Sequence, residues 1–191
     1  MKYLKISSIL AAIALICAVL IAAMDMLTSP VIAKNDEQTE YDTIVSIFNS
    51  YDSSNSEEVS GPYSSDYIEK IIIARDNNKN DLGKVYTVSG KNAYGTIKLM
   101  VAIKDNQVYQ VEFLENGQSF ASTVEGHVTS NYPSSEKDSI EIWFKSDSSS
   151  YAGTLNNDEL ANIDVSCGAT YGAKLVKELV TAALNDAKGG N

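Results

Sequence analysis

The chain has 191 residues, 44% of them apolar and 21% charged, a balance that supports a packed core and argues against wholesale disorder. Twenty-five acids against fifteen bases give a formal net charge of −10, which argues against a nucleic-acid binder, since that needs a basic footprint. Two cysteines are too few for a disulfide scaffold. The single histidine, His127, has no second histidine to share a metal and leaves little room for a Ser-His-Asp triad. No catalytic residue and no metal site is therefore expected.

From the amino terminus, Ile6 to Met24 form an uncharged and nearly continuous apolar run of 19 residues. At about 1.5 Å rise per residue such a helix spans most of a hydrocarbon core of roughly 30 Å. Lys2 and Lys5 precede the run and Asp25 follows it. Setting those two lysines aside leaves 13 bases against 25 acids, a net −12, for the remainder. The positive flank belongs in the cytoplasm, so the carboxyl-terminal part is expected outside. A cleaved signal peptide would use the small residues Ile21-Ala22-Ala23, but the run is long for that role. A lipoprotein would need a small residue before Cys17, where Ile16 stands. A retained single-pass anchor is the expectation, with residues 1–25 as the transmembrane segment.

Residues 25 to 40, containing Pro30 and a polar stretch from Lys34 to Glu40, read as a juxtamembrane linker. Asp42 to Phe48 alternates weakly, as at the start of a helix. Ser50 to Ser65 is rich in Ser, Asp, Glu, Asn and Gly and reads as a solvated loop. The segment 26–65 thus separates the anchor from a domain over 66–191. Within it, Tyr67 to Arg75 holds the β-branched run Ile71-Ile72-Ile73, a strand. After the turn-forming Asp76 to Gly83, Lys84 to Ser89 alternates as a second strand. Tyr94 to Ile103 and Gln107 to Leu114 form a hairpin around Lys104-Asp105-Asn106, whose Asn106 tolerates left-handed geometry. Ser119 to Asn131 reads as a helix with Phe120, Val124 and Val128 on one face, and His127 on its surface or capping it. Ser139 to Lys145 reads as a strand, and Ser146 to Ser150 as a serine-rich loop. From Gly172, Leu175, Val176, Leu179, Val180, Ala183 and Leu184 recur at helical spacing. The fold class expected is α+β: an antiparallel sheet with flanking helices, preceded by one transmembrane helix.

The most informative stretch is Asp164-Val165-Ser166-Cys167-Gly168-Ala169-Thr170-Tyr171-Gly172, directly before the last helix. Gly168 and Ala169 let the backbone approach a bulky group. Thr170 offers a hydroxyl where a helix begins, and free N–H groups with a partial positive charge suit phosphate there. The plainer reading is that Thr170 is an N-cap and Gly168 a turn residue.

This stretch resembles the flavinylation motif of FMN-binding domains, roughly Asp-x-x-Ser/Thr-Gly-Ala-Thr-x-Ser/Thr. These domains occur in the G subunit of the Rnf electron-transport complex and the C subunit of the sodium-translocating NADH:quinone reductase. Asp164, Gly168, Ala169 and Thr170 match the pattern. Cys167 stands in place of Ser or Thr, and Gly172 in place of a second hydroxyl that would offer a phosphate contact. Leu27-Thr28-Ser29-Pro30-Val31-Ile32 resembles the family's juncture after the anchor, Tyr94-Gly95-Thr96-Ile97 its Gly-Tyr segment, and Glu115-Asn116-Gly117-Gln118 occupies the place of Glu-Thr-Pro-Gly near the flavin ring, with Glu115 matching. The likeness covers most of residues 1–33 and 84–187.

The resemblance implies FMN attached by a phosphoester to Thr170 through a flavin transferase. It places Asp164, Cys167, Gly168, Ala169, Tyr171, Glu115 and Tyr94 around the cofactor. It also implies a membrane-anchored extracytoplasmic electron carrier, a redox subunit working with other subunits rather than a self-contained enzyme. Of the tyrosines that stacking on a flavin would suit, Tyr94 and Tyr171 are favoured, and Tyr86 and Tyr109 are assigned to packing. Cys167 is expected as a buried or flavin-adjacent free thiol. A stand-alone carrier outside any complex, and a flavin-free anchored binding module, are the alternatives.

Overall fold

The computed structural model describes residues 2–134 and 153–189, apart from the side chains of residues 2–6, 8 and 9. The expected strand at Ser139 to Lys145 and the loop at Ser146 to Ser150 lie outside the described residues. The elements run α1 (Lys2–Ile47), β1 (Glu57–Val59), β2 (Ile68–Arg75), β3 (Asp81–Asn92), β4 (Gly95–Lys104), β5 (Gln107–Asn116), α2 (Ala121–Asn131), α3 (Asn157–Asn162) and α4 (Thr170–Ala187). An apolar first helix followed by an antiparallel sheet with helices is the α+β arrangement expected.

The chain divides into two compact units, Met1–Thr39 and Glu40–Asn191. The first is wholly helical from Lys2, and α1 is long and apolar enough to cross a membrane. Residues 25 to 40 are helical, not an irregular linker. Pro30 removes one helical donor at a cost of about 3 kcal/mol, but Ala33, Lys34, Glu37, Gln38 and Glu40 around and after it are good helix formers. Asp42 to Phe48 is therefore the end of a helix and not its beginning.

In the second unit the five strands form one antiparallel sheet in chain order, β1-β2-β3-β4-β5. The short β1 lies inside the stretch expected to be all loop, where Glu57, Glu58 and Val59 pair with Ile73, Ile72 and Ile71. Asp105 and Asn106 close the β4–β5 hairpin with φ of 53° and 59°, the left-handed pair that matches strand twist in a two-residue turn. At the other end, Asn92 pairs with Gly95, and Asn92 Oδ1 accepts from Tyr94 N at 2.8 Å. That side-chain turn leaves Tyr94 at the tip of the β3–β4 hairpin.

The sheet is covered on both faces. One face, with Tyr86, Val88, Leu99 and Val101, meets Leu175, Val176, Leu179 and Val180 of α4, with Val124 and Val128 of α2 and Leu160 of α3 beside them. The amphipathic stripe of α4 is thus its buried stripe, as the spacing predicts. On the other face Ile72, Ala74, Val85, Met100 and Ala102 meet Ile44, Ile47 and Phe48 from the end of α1. There Glu40 pairs with Lys70 at 3.1 Å and Lys98 at 3.8 Å, and Lys98 also meets Glu69 at 3.1 Å. Tyr86 is fully buried in the core and Tyr109 stacks on Phe48 with ring centres 5.5 Å apart, both packing roles.

Leu179 is fully buried where α4 crosses the sheet. Leu179→Ala should lower stability by about 2–5 kcal/mol through lost burial and the cavity left behind. Urea unfolding of the full-length protein in detergent checks this; an unchanged midpoint would mean that α4 is not packed on the sheet.

Candidate functional site

The β3–β4 hairpin tip, the segment leaving β5 and the first turn of α4 converge on one cleft of about 230 Å³. The hairpin tip is held by a close backbone crossing. Gly95 has φ of 142°, and a Cβ there would lie 2.0 Å from Gly117 O, so only glycine permits the approach. Gly117 N then donates to Thr96 O at 2.8 Å, Ser119 N to Tyr94 O at 3.1 Å, and Gln118 Nε2 to Gly95 O at 2.7 Å. Asn92 Nδ2 donates to Tyr171 O at 3.2 Å and ties the tip to α4.

The α4 side begins with an unusual cap. Ala169 occupies the cap position, and no side chain caps the helix. Thr170 is the first helical residue, so it is not the N-cap that the plainer sequence reading assigned. Its exposed hydroxyl donates backwards to Cys167 O at 2.7 Å. Gly172 N and Ala173 N both donate to Ala169 O. Ahead of them, the amides of Thr170 and Tyr171 at the start of the 18-residue helix α4 have no backbone acceptor among the described residues, and the helix dipole adds partial positive charge there.

Of the residues singled out from the sequence, Tyr94, Gly168, Ala169, Thr170 and Tyr171 line the cleft together. Tyr94 and Tyr171 stack with ring centres 5.3 Å apart and planes 29° apart, and they are 45% and 65% exposed. Asp164, Cys167 and Glu115 stand outside the lining. Asp164 Oδ1 accepts from Ser166 N at 2.8 Å. That backbone bond, with help from the Ser166 side chain and then from His127 and Lys177, holds its carboxyl below the usual range. Asp164 therefore shapes the loop before α4 as a fixed anion. Cys167 is a half-buried free thiol behind Thr170.

Four lining residues were not among those assigned to the cofactor from the sequence: Gln118, whose stretch from Glu115 the resemblance had set near the flavin ring, Phe120, Val124 and Gly172. Phe120 reads from the sequence as helical, at four-residue spacing with Val124 and Val128. It instead precedes α2 at the cap position and is 60% exposed, over the cleft. Gly172 was noted for the hydroxyl it lacks. A Cβ at 172 would lie 2.5 Å from Val124 Cγ2, so α2 and α4 can pack here only if residue 172 has no side chain. Gly117 following β5 was the available signal for the segment that carries Gln118.

His127 is also corrected. It is buried, not on the surface, because Val124, His127 and Val128 share the inward stripe of α2. Asn131 Nδ2 lies 3.3 Å from its Nδ1, while Nε2 has no partner among the described residues.

An accessible hydroxyl and unpaired amides at a helix start, small residues beside them, and aromatic faces forming the cleft define a domain suited to a planar, phosphate-bearing cofactor. The comparisons agree. Residues 2–47 match the RnfG N-terminal region and residues 93–185 match the FMN-binding domain. No curated protein matches the chain. Both matches are to the RnfG-like FMN-binding family. The chain is a membrane-anchored flavoprotein of a family that implies a multi-subunit complex. The second match spans the cleft residues from Tyr94 to Gly172.

Burial lowers the His127 pKa below its ordinary 6.5, against a smaller opposing pull from Asp164. The folded state thus binds the proton less readily than the unfolded chain. His127 contributes nothing unfavourable above pH 6.5 and destabilises progressively as pH falls below it, down to the lowered folded pKa. Stability measured by urea unfolding should fall between pH 7 and 5, and His127→Gln should flatten that slope. An equal slope in the variant would assign the titration elsewhere.

Proposed function

We propose that the chain carries FMN covalently bound through its phosphate to Thr170 Oγ1 and serves as the extracytoplasmic G-type electron-transfer subunit of an Rnf-like complex. The observation that carries this reading is the exposed Thr170 hydroxyl on the first residue of a helix capped only by alanine, beside an aromatic cleft. The Thr170 hydroxyl attacks the flavin-side phosphorus of a flavin dinucleotide held by a flavin transferase. A new P–O bond forms, the pyrophosphate P–O bond breaks, a nucleoside monophosphate leaves with the hydroxyl's proton, and the chain gains FMN less one water.

FMN supplies reversible one- and two-electron chemistry, and the protein supplies position and electrostatics. The leading amides of α4 and the helix dipole hold the phosphate. Gly168 and Ala169 allow the backbone to come close to it. Tyr94, Tyr171 and Phe120 offer ring faces for stacking. Asp164 and Cys167 support the loop that presents Thr170, and Glu115 stands on β5 beside Asn116, which fixes the start of α2 through Ala121 O and Glu125. No side chain is required as a general acid or base. Other subunits of the complex act as electron donor and acceptor. The net −12 that follows the anchor adds steering toward basic partners.

Co-expression with a flavin transferase should give a band that keeps flavin fluorescence on a denaturing gel and an intact mass raised by FMN less one water. Thr170→Val should abolish both signals, while thermal unfolding shows the fold retained. Cys167→Ser should keep them. A label that persists in Thr170→Val would move the attachment to another residue.

The orientation rests on Lys2 and Lys5 before an uncharged run. Protease added to intact cells should digest the chain beyond Asp25. Protection of that region, with an external control protein cut, would reverse the topology.

A further inference from the structure

Among the described residues, Gln118 is the one polar side chain in the cleft wall that is more than nine-tenths buried, at 7% exposure. Its carboxamide has a defined orientation. Nε2 donates to Gly95 O at 2.7 Å, and a carbonyl oxygen only accepts, so Oε1 takes the opposite side. Oε1 lies against the first turn of α4, 3.3 Å from the point a Cβ of Gly172 would occupy. No donor among the described residues reaches it, the other bond of Gln118 being from its backbone N to Asn116 Oδ1. A carbonyl oxygen that lines the cleft with no such donor is open to a ligand hydroxyl or a water that can donate to it.

We infer that Gln118 Oε1 is the acceptor for a hydroxyl of the flavin's ribityl chain, and that Gln118 is a positioning residue for the cofactor. This rests on the FMN reading above and goes beyond it by assigning a contact to a residue outside the attachment motif. Position 172 lies two residues from Thr170, about 3 Å along the helix axis. The part of FMN next to a phosphate held at Thr170 is the ribityl chain, which carries three hydroxyl donors. The exposed ring faces of Tyr94, Tyr171 and Phe120 suit the isoalloxazine instead. Gln118 spans the two walls of the cleft, bonded to the hairpin tip through Nε2 and facing α4 through Oε1. A cofactor tethered only at its phosphate swings freely; a second contact partway along its length sets the direction in which the ring leaves the helix.

The test uses full-length flavinylated protein in detergent, alongside Gln118→Met, which keeps length but has no acceptor. Covalent label should be retained in the variant, since Thr170 is untouched. Time-resolved fluorescence anisotropy should show the freely rotating ring population rising roughly two- to ten-fold, the factor that one neutral hydrogen bond carries. The midpoint potential should move only as far as the larger free-ring population carries it, because Gln118 touches no redox-active ring atom. A folded, labelled variant with an immobile ring would overturn the inference. So would a shifted potential with unchanged mobility, which would place the contact on the ring. If Gln118→Met does not fold, the parent decides: the carboxamide carbon resonance of Gln118 should differ between the flavinylated parent and flavin-free Thr170→Val, and coincident resonances would refute the contact. A parent that takes no label from an active transferase overturns the FMN reading itself and this inference with it, whereas a labelled parent with an insensitive Gln118 removes only the latter.

Discussion

The contact between α2 and the first turn of α4 governs the site. Val124 fills the space where residue 172 would place a side chain, at 2.5 Å from an ideal Cβ. Valine is stiff at χ1 and fully buried here, so it cannot yield. Gly172 is therefore a packing requirement, and the departure from the family pattern at this position has a steric cause. With α4 pressed against α2, its uncapped start faces the cleft and its stripe from Leu175 to Leu184 covers the sheet. Lys177 Nζ, donating to Ala161 O at 2.7 Å and Ile163 O at 2.9 Å, fastens the end of α3 to the same helix and so anchors the segment that leads to Asp164.

The opposite wall depends on glycine in a different way. The hairpin tip crosses the segment after β5 at a distance only Gly95 allows, and four hydrogen bonds from that segment and from Asn92 then hold Tyr94 in place. Each wall is thus built from rigid secondary structure. Ring faces, the Thr170 hydroxyl and the Gln118 carbonyl oxygen are left to present, the arrangement that preorganised sites require. The second face of the sheet, closed by Ile44, Ile47 and Phe48 with Glu40 between Lys70 and Lys98, completes the burial of β4 on both sides.

Elements with strong periodicity were legible in the sequence. The β4–β5 hairpin could be read because Asp105-Asn106 announces its turn and alternating Val and Phe announce its strands. The terminal helix could be read because its leucines and valines recur at helical spacing. Tyr94, Gly168, Ala169, Thr170 and Tyr171 were legible as a group through the motif and the hairpin, and the cleft brings them together. What was not legible depended on contacts distant in sequence. A polar run with Pro30 looks like a linker until the helix on either side of it is seen. The three-residue β1 has no pattern of its own and exists because Ile71 to Ile73 offer an edge. Phe120 reads as spaced with Val124 and Val128 on one helix, and His127 as its surface or cap, yet the helix begins after Phe120 and turns His127 inward. Gln118 lies in a polar stretch, and nothing local distinguishes it from a surface glutamine.

The bond from the Thr170 hydroxyl to Cys167 O has a consequence for maturation. A free hydroxyl can donate; an esterified oxygen cannot. Attaching a phosphate at this oxygen therefore deletes the hydrogen bond that closes the Cys167–Thr170 turn and leaves the Cys167 carbonyl to find water or another donor. The unmodified turn is the self-satisfied form. With the attachment proposed above, immature and mature copies would differ in the bonding of this loop as well as in the presence of the cofactor, giving a maturation factor or a neighbouring subunit that touches the loop a local means of telling one from the other.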